Sequence, residues 1–144
     1  MLGRGVVENH LKSLLLVEDS KLLRHAHQRA FVRAGYNVVT ACDGEEALRS
    51  VGEGLPDLIL LDMLLPKLSG PEVLSALKNN PVTAQVPVIV LSGLSQKNAG
   101  KLIKDGANAY FEKSKLDSQE GWPSLLRLIE KTLRAKTQAA AAHR

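Results

Sequence analysis

The chain reads as an α/β domain: a five-stranded parallel sheet covered by five helices. Three observations predict this. Short apolar runs alternate along the chain with segments of helical periodicity. The connections between the runs are too long for hairpins, so the strands must pair in parallel through right-handed crossovers. Three of the runs, residues 14–17, 58–61 and 88–91, show no polar alternation, as expected of strands covered on both faces.

The elements follow in order. The first strand, residues 14–17, ends in Glu18-Asp19. Leu22, Leu23, Ala26, Ala30, Phe31 and Ala34 then recur at helical spacing, and Gly35 stops that helix. Residues 36–41 form a weaker, more polar strand, placed nearer an edge. Ala47, Leu48 and Val51 mark a second helix, behind Asp43 and before Gly52. The third strand, 58–61, delivers Asp62 at its tip and is stopped by Pro66. Ser69-Gly70-Pro71-Glu72 combines an N-cap serine, an early proline and a glutamate placed to return a hydrogen bond, with Val73, Leu74 and Leu77 as the buried stripe.

The fourth strand, 88–91, leads to Ser92. A fourth helix is expected after Ser95, with Ala99, Leu102 and Ile103 inward and an end at Gly106. Residues 107–111 make a short edge strand before Lys113. A fifth helix carries Trp122, Leu125, Leu126, Ile129 and Leu133. Its start is left open between a capping box at Asp117-Ser118-Gln119-Glu120 and a later beginning favoured by Gly121 and Pro123. The tail from Lys136 to Ala142 has no apolar face, so fraying is expected there. The organisation is therefore an extension (1–10), one domain (11–134) and a tail (135–144).

Composition limits the function. A chain of 144 residues suits one domain burying roughly 70% of its unfolded surface. Aromatic residues make up only 3%, which argues against base stacking as a binding device. The net charge is +4, but Lys and Arg are spread from Arg4 to Arg144, so a solvated surface is expected and no direct DNA binding. Cys42 is alone, which excludes an internal disulfide and suits a reducing compartment. No h-region and no bilayer-length apolar stretch is present, so a cytoplasmic protein without membrane insertion is expected.

In open parallel sheets, ligands bind beyond the C-terminal ends of the strands, where the strand order reverses. Glu18 and Asp19, Asp62, Ser92 and Lys113 are all placed there, at four strand tips. Taken singly, each is an ordinary turn acid, cap or surface lysine; their joint placement makes a site. Carboxylates gathered in one pocket repel one another, and a divalent cation would remove the conflict. Imidazoles are poor candidates for such a site. His25 and His27 stand two apart on a helix and cannot face one ligand, while His10 and His143 lie near the ends.

Those five residues, in that order, resemble the receiver domain of two-component response regulators. The likeness extends to Ala41-Cys42-Asp43-Gly44-Glu45-Glu46-Ala47-Leu48, to Met63, Pro66 and Gly70, and to Gly106-Ala107, and covers about residues 11–133. It implies a flavodoxin-like doubly wound sheet of order 2-1-3-4-5. It implies that Asp62 accepts a phosphoryl group from a sensor histidine kinase or a histidine phosphotransfer protein, with Lys113 pairing the carboxylate and then a phosphoryl oxygen, and Ser92 donating to another. Mg2+ would be held by Asp19, Asp62 and the Met63 carbonyl, with Glu18 on a metal water. Ser92 and Tyr110 would form the switch. The output face would span residues 95–133, and the first helix, with Lys21, Arg24, Arg29 and Arg33, would dock the histidine-bearing partner.

The sequence also departs from the family. Ser114 stands where the family commonly has a cis proline. The pocket rim is apolar at Leu64 and Leu94, neither of which can hydrogen-bond an attacking water, so slow loss of phosphate is expected. After Leu133 there is no room for an output module, so the protein is expected to act by docking an unidentified target, by passing phosphate onward, or by dimerising through its fifth helix and tail. No activity on external substrates is expected. A Mg2+-dependent phosphatase of the haloacid type is the alternative, but Leu64 occupies the place of its second acid. A flavodoxin-like flavin carrier would need a Ser/Thr-Gly-rich phosphate loop after the first strand, and none is there.

Overall fold

The apolar runs pair side by side as their composition requires. The computed structural model describes residues 11–93 and 99–142, with side chains through 139. Its elements are β1 (Ser13–Val17), α1 (Lys21–Arg33), β2 (Asn37–Ala41), α2 (Gly44–Glu53), β3 (Leu58–Asp62), α3 (Gly70–Lys78), β4 (Val88–Ser92), α4 (Ala99–Lys104), β5 (Ala109–Glu112), a 3-10 turn (Lys113–Asp117) and α5 (Gly121–Ala142). The sheet order is β2-β1-β3-β4-β5 with every neighbouring pair parallel, the flavodoxin-like arrangement.

Alternation along the strands builds two cores. Leu15, Val17, Ile59, Leu61, Val88 and Val90 face α2, α3 and α4, while Leu14, Leu16, Leu58, Leu60, Ile89 and Leu91 face α1 and α5. β3 and β4 are buried at every position, whereas β2 alternates, as an edge strand must. Because both central strands are covered on both faces, their polar tips can lie only at the ends of the sheet.

Several element boundaries and faces differ from the sequence expectation. On α1 the buried positions are His27 and Phe31, while Leu22 is 80% exposed and Leu23 38%. The two leucines sit in the first turn, past the end of β1, where no layer covers them. Trp122 of α5 selects the face instead, its ring meeting His27 edge-on at 5.2 Å and Phe31 at 5.3 Å. Helix α2 runs through Gly52 to Glu53 and is capped at Gly54, since an exposed glycine costs a helix only about 1 kcal/mol.

Ile103 is 46% exposed, because in a helix of six residues Leu102 alone takes the inward position. Ser95, the expected start of that helix, and Leu94 lie outside the described residues. Asp117 to Glu120 form no capping box: Asp117 closes the 3-10 turn, and α5 begins at Gly121, against the Lys115 carbonyl where no side chain fits. The tail expected to fray continues α5 as helix to Ala142.

Candidate functional site

The acidic pair is carried by the β1–α1 loop. The Glu18 backbone N–H donates to the Ala41 carbonyl at 3.0 Å, tying the loop to β2, and Ser20 caps α1 by accepting from the Leu23 N–H at 3.3 Å. The Glu18 side chain is buried, with one carboxylate oxygen accepting from the Ser20 N–H at 3.2 Å and the other from Lys113 Nζ at 2.8 Å. Asp19 is exposed, at the mouth.

Asp62 ends β3 and is 4% exposed. Its Oδ1 accepts from the Leu64 N–H at 3.1 Å and its Oδ2 from Lys113 Nζ at 3.3 Å. The loop beyond it is pressed against α3: a Cβ on Gly70 would fall 2.5 Å from Met63 Cα and 2.7 Å from the Asp62 carbonyl oxygen. Glycine is required there by closeness, and the capping box of Ser69 and Glu72 that the sequence predicts fixes the helix start behind it. The Met63 carbonyl, a predicted metal ligand, already accepts the Gly70 N–H at 3.3 Å and keeps one lone pair.

Ligand oxygens of Glu18, Asp19 and Asp62 lie within 4.8 Å of one another. Burial pushes the Asp62 carboxyl above its ordinary pKa and the charge of Glu18 adds to this, against the opposing pull of the Leu64 N–H and Lys113. Burial alone would push Lys113 down; its hydrogen bond to Glu18 and the charges of Asp62 and Glu18 outweigh that and hold the ammonium above its usual value. Among the described residues the Lys113 ammonium answers Glu18 and Asp62 while the Asp19 carboxylate has no partner, an arrangement with room for a second positive charge.

Ser92 is fully buried at the end of β4. Tyr110, half-buried, packs on the α2–α4 side of the sheet, beside Ser92 on the neighbouring strand. Burial raises the Tyr110 pKa, with Glu112 adding to it. The structure thus brings Glu18, Asp19, Asp62 and Lys113 together, with Ser92 and Tyr110 side by side on β4 and β5. The Lys113–Ser114 peptide is trans.

Sequence reasoning missed Arg24 as a member of this neighbourhood. Its guanidinium donates to the backbone carbonyls of Glu18 and Asp19, a contact that no side-chain pattern announces. A groove of about 900 Å3 lies at the other end of the sheet, between α5 and the starts of β4 and β5, and has no acid in its lining.

Residues 14–120 match the profile of the response regulator receiver domain. The gliding motility regulatory protein of Myxococcus xanthus is 43% identical over 105 residues, 72% of this chain but only 13% of that protein. Protein PilG of Pseudomonas aeruginosa is 32% identical over 103 residues, 69% of this chain and 75% of PilG. A response regulator receiver domain protein from Clostridium thermocellum has a solved structure with a TM-score of 0.78 at 27% identity, covering 90% of this chain and 99% of that one. These matches leave the phosphatase and flavin-carrier readings without support. Among the described residues, no helix is long and apolar enough to cross a membrane.

Proposed function

The chain belongs to the response regulator receiver domain family of two-component signalling, and on that premise we propose that Asp62 is its phosphoacceptor. The observation that carries the reading is the cluster itself: Glu18, Asp19 and Asp62 within 4.8 Å, with Lys113 Nζ between Glu18 and Asp62. An Asp62 carboxylate oxygen attacks the phosphorus of a phosphohistidine on a sensor kinase or phosphotransfer protein. The new O–P bond forms as the P–N bond breaks, and the imidazole leaves with the electron pair.

Three carboxylates offer the hard oxygen ligands that Mg2+ prefers. Asp19 and Asp62 would hold it directly and Glu18 through water, with the remaining lone pair of the Met63 carbonyl as the fourth protein contribution. The ion, when bound, would withdraw charge from the incoming phosphoryl group. Lys113, freed from part of its charge pairing, follows the phosphoryl oxygens as a compact ammonium.

Ser92 can donate its single proton to a phosphoryl oxygen, and Tyr110 lies beside it on the next strand. A Ser92 drawn toward the phosphoryl group leaves space for Tyr110 to follow, passing the charge change at Asp62 toward β5 and its neighbours, where a downstream protein or a second copy of the chain would dock. The exposed side of α1, with Lys21, Arg29 and Arg33 and no acid in its first turn, suits the histidine-bearing partner. We place the protein in the cytoplasm and assign it no external substrate.

Acetyl phosphate with Mg2+, followed by intact mass, is expected to add one phosphate to the wild type and none to Asp62→Asn. A phosphorylated Asp62→Asn chain would move the acceptor elsewhere.

A further inference from the structure

We propose that Arg24 is a positioning residue for the acidic pair, holding the β1–α1 loop so that Asp19, beside Glu18, meets a divalent cation with its carboxylate free. The proposal rests on the receiver reading above and adds a residue to it. Arg24 stands in the first turn of α1, half-buried, and its Nη1 donates to the Glu18 carbonyl at 3.0 Å and to the Asp19 carbonyl at 3.3 Å. One guanidinium therefore pins two successive peptide units of the loop, while the Arg24 backbone N–H donates to the Ser20 carbonyl at 2.8 Å and closes the turn.

The two acids need this clamp to different degrees. Glu18 has other anchors: its N–H is on Ala41 and its carboxylate on Ser20 and Lys113. Among the described residues the Asp19 carboxylate is exposed and makes no hydrogen bond or ion pair, so only its backbone places it near Glu18 and Asp62. The Asp19 carbonyl receives Arg24. The chemistry of the clamp also matters. A guanidinium on the carboxylates would compete with a metal, whereas one on the carbonyls orders the loop and leaves every Asp19 carboxylate oxygen open. Groups that orient metal ligands in this way typically set affinity by tenfold or more.

The test titrates Mg2+ into the full chain, by calorimetry and as the Mg2+ dependence of acetyl phosphate labelling, for wild type, Arg24→Met and Arg24→Lys. Arg24→Met is expected to raise the half-saturating Mg2+ about tenfold in both measurements, while labelling at saturating Mg2+ stays within about twofold of wild type. Arg24→Lys, which keeps the charge but can reach one carbonyl, is expected to fall between them, at roughly threefold. Unaltered Mg2+ affinity in Arg24→Met overturns the proposal, as does a fall in the saturated rate without a change in half-saturation. Should Arg24→Met fail to fold, unaltered affinity in Arg24→Lys overturns it equally. A wild type that binds no Mg2+ would instead remove the metal site itself, a result distinct from a silent Arg24 variant.

Discussion

Lys113 and Lys78 are both half-buried ammonium groups at opposite ends of one sheet, and their surroundings answer them in opposite ways. Lys113, beyond β5, meets the carboxylates of Glu18 and Asp62. Lys78, at the end of α3, donates to the Ala84 carbonyl at 3.2 Å, the Val86 carbonyl at 3.0 Å and Asn108 Oδ1 at 3.5 Å. Burial holds the Lys78 pKa below its ordinary value, with no charge opposing it, while the acids hold Lys113 above. Neutral acceptors satisfy a cation's hydrogens and keep it in place, which ties α3 to the leads into β4 and β5. Acid partners can be taken away by another cation, so Lys113 stands in a balance that metal or phosphate can shift.

The largest expected break in this comparison is kinetic. Lys113→Met should slow Asp62 labelling by acetyl phosphate about a hundredfold at saturating Mg2+, the usual cost of losing one preorganised donor, while Lys78→Met labels at the wild-type rate per folded molecule. Equal rates in both variants would erase the distinction between the two ends.

Stability comes next. Without divalent cation each variant should lose about 2–3 kcal/mol in urea unfolding, Lys113→Met because two buried acids face each other and Lys78→Met because carbonyl acceptors go unpaired. Mg2+ should restore most of the loss in Lys113→Met and none in Lys78→Met. Rescue of both by Mg2+ would show that the ion acts on the whole chain rather than at the acids.

The rim of the acidic end offers a smaller effect. Leu64 is 67% exposed and its N–H already holds Asp62 Oδ1, so its side chain offers an attacking water nothing. The phosphorylated chain should therefore persist for minutes or longer with Mg2+ present, and Leu64→Asn should shorten that lifetime about tenfold by supplying a hydrogen bond. A wild-type lifetime of seconds contradicts this.

The smallest effect is a pH dependence from a group belonging to neither end. His27 Nδ1 is buried with no hydrogen-bond partner among the described residues, and burial holds the imidazole pKa below 6.5, with Glu18 pulling it up and Lys113 down. Below pH 6.5 the unfolded chain therefore binds more protons than the folded one, so stability is lost as the pH falls through that value and into the range of the depressed folded pKa. His27→Phe should remove this part of the acid slope and stabilise the fold by about 1 kcal/mol at neutral pH, read from urea midpoints at pH 5 and pH 7. A parallel slope in the variant would assign the acid loss to the carboxylates.

How legible a residue was in the sequence depended on what determines its place. Asp62, Ser92 and Lys113 could be placed because each ends a strand, and a strand end is marked by where the apolar run stops. The buried face of α1 could not be read, since Leu22 and Leu23 look more apolar than His27. Only the arrival of Trp122 from a helix almost a hundred residues later makes the His27 side the inward one. Ile103 misled for a related reason: a six-residue helix has too few positions for periodicity to choose between neighbours.

Sequence by itself determined the alternation of elements, the parallel sheet and the set of polar residues at its C-terminal ends, because burial on both faces imposes a pattern that the chain must carry locally. The tertiary structure decided which contacts those residues make. It turned the Met63 carbonyl toward Gly70 and set Arg24 on two carbonyls beneath the acids. Backbone groups are the same at every position, so what binds them is set by how close the folded segments come and leaves no mark in the order of side chains.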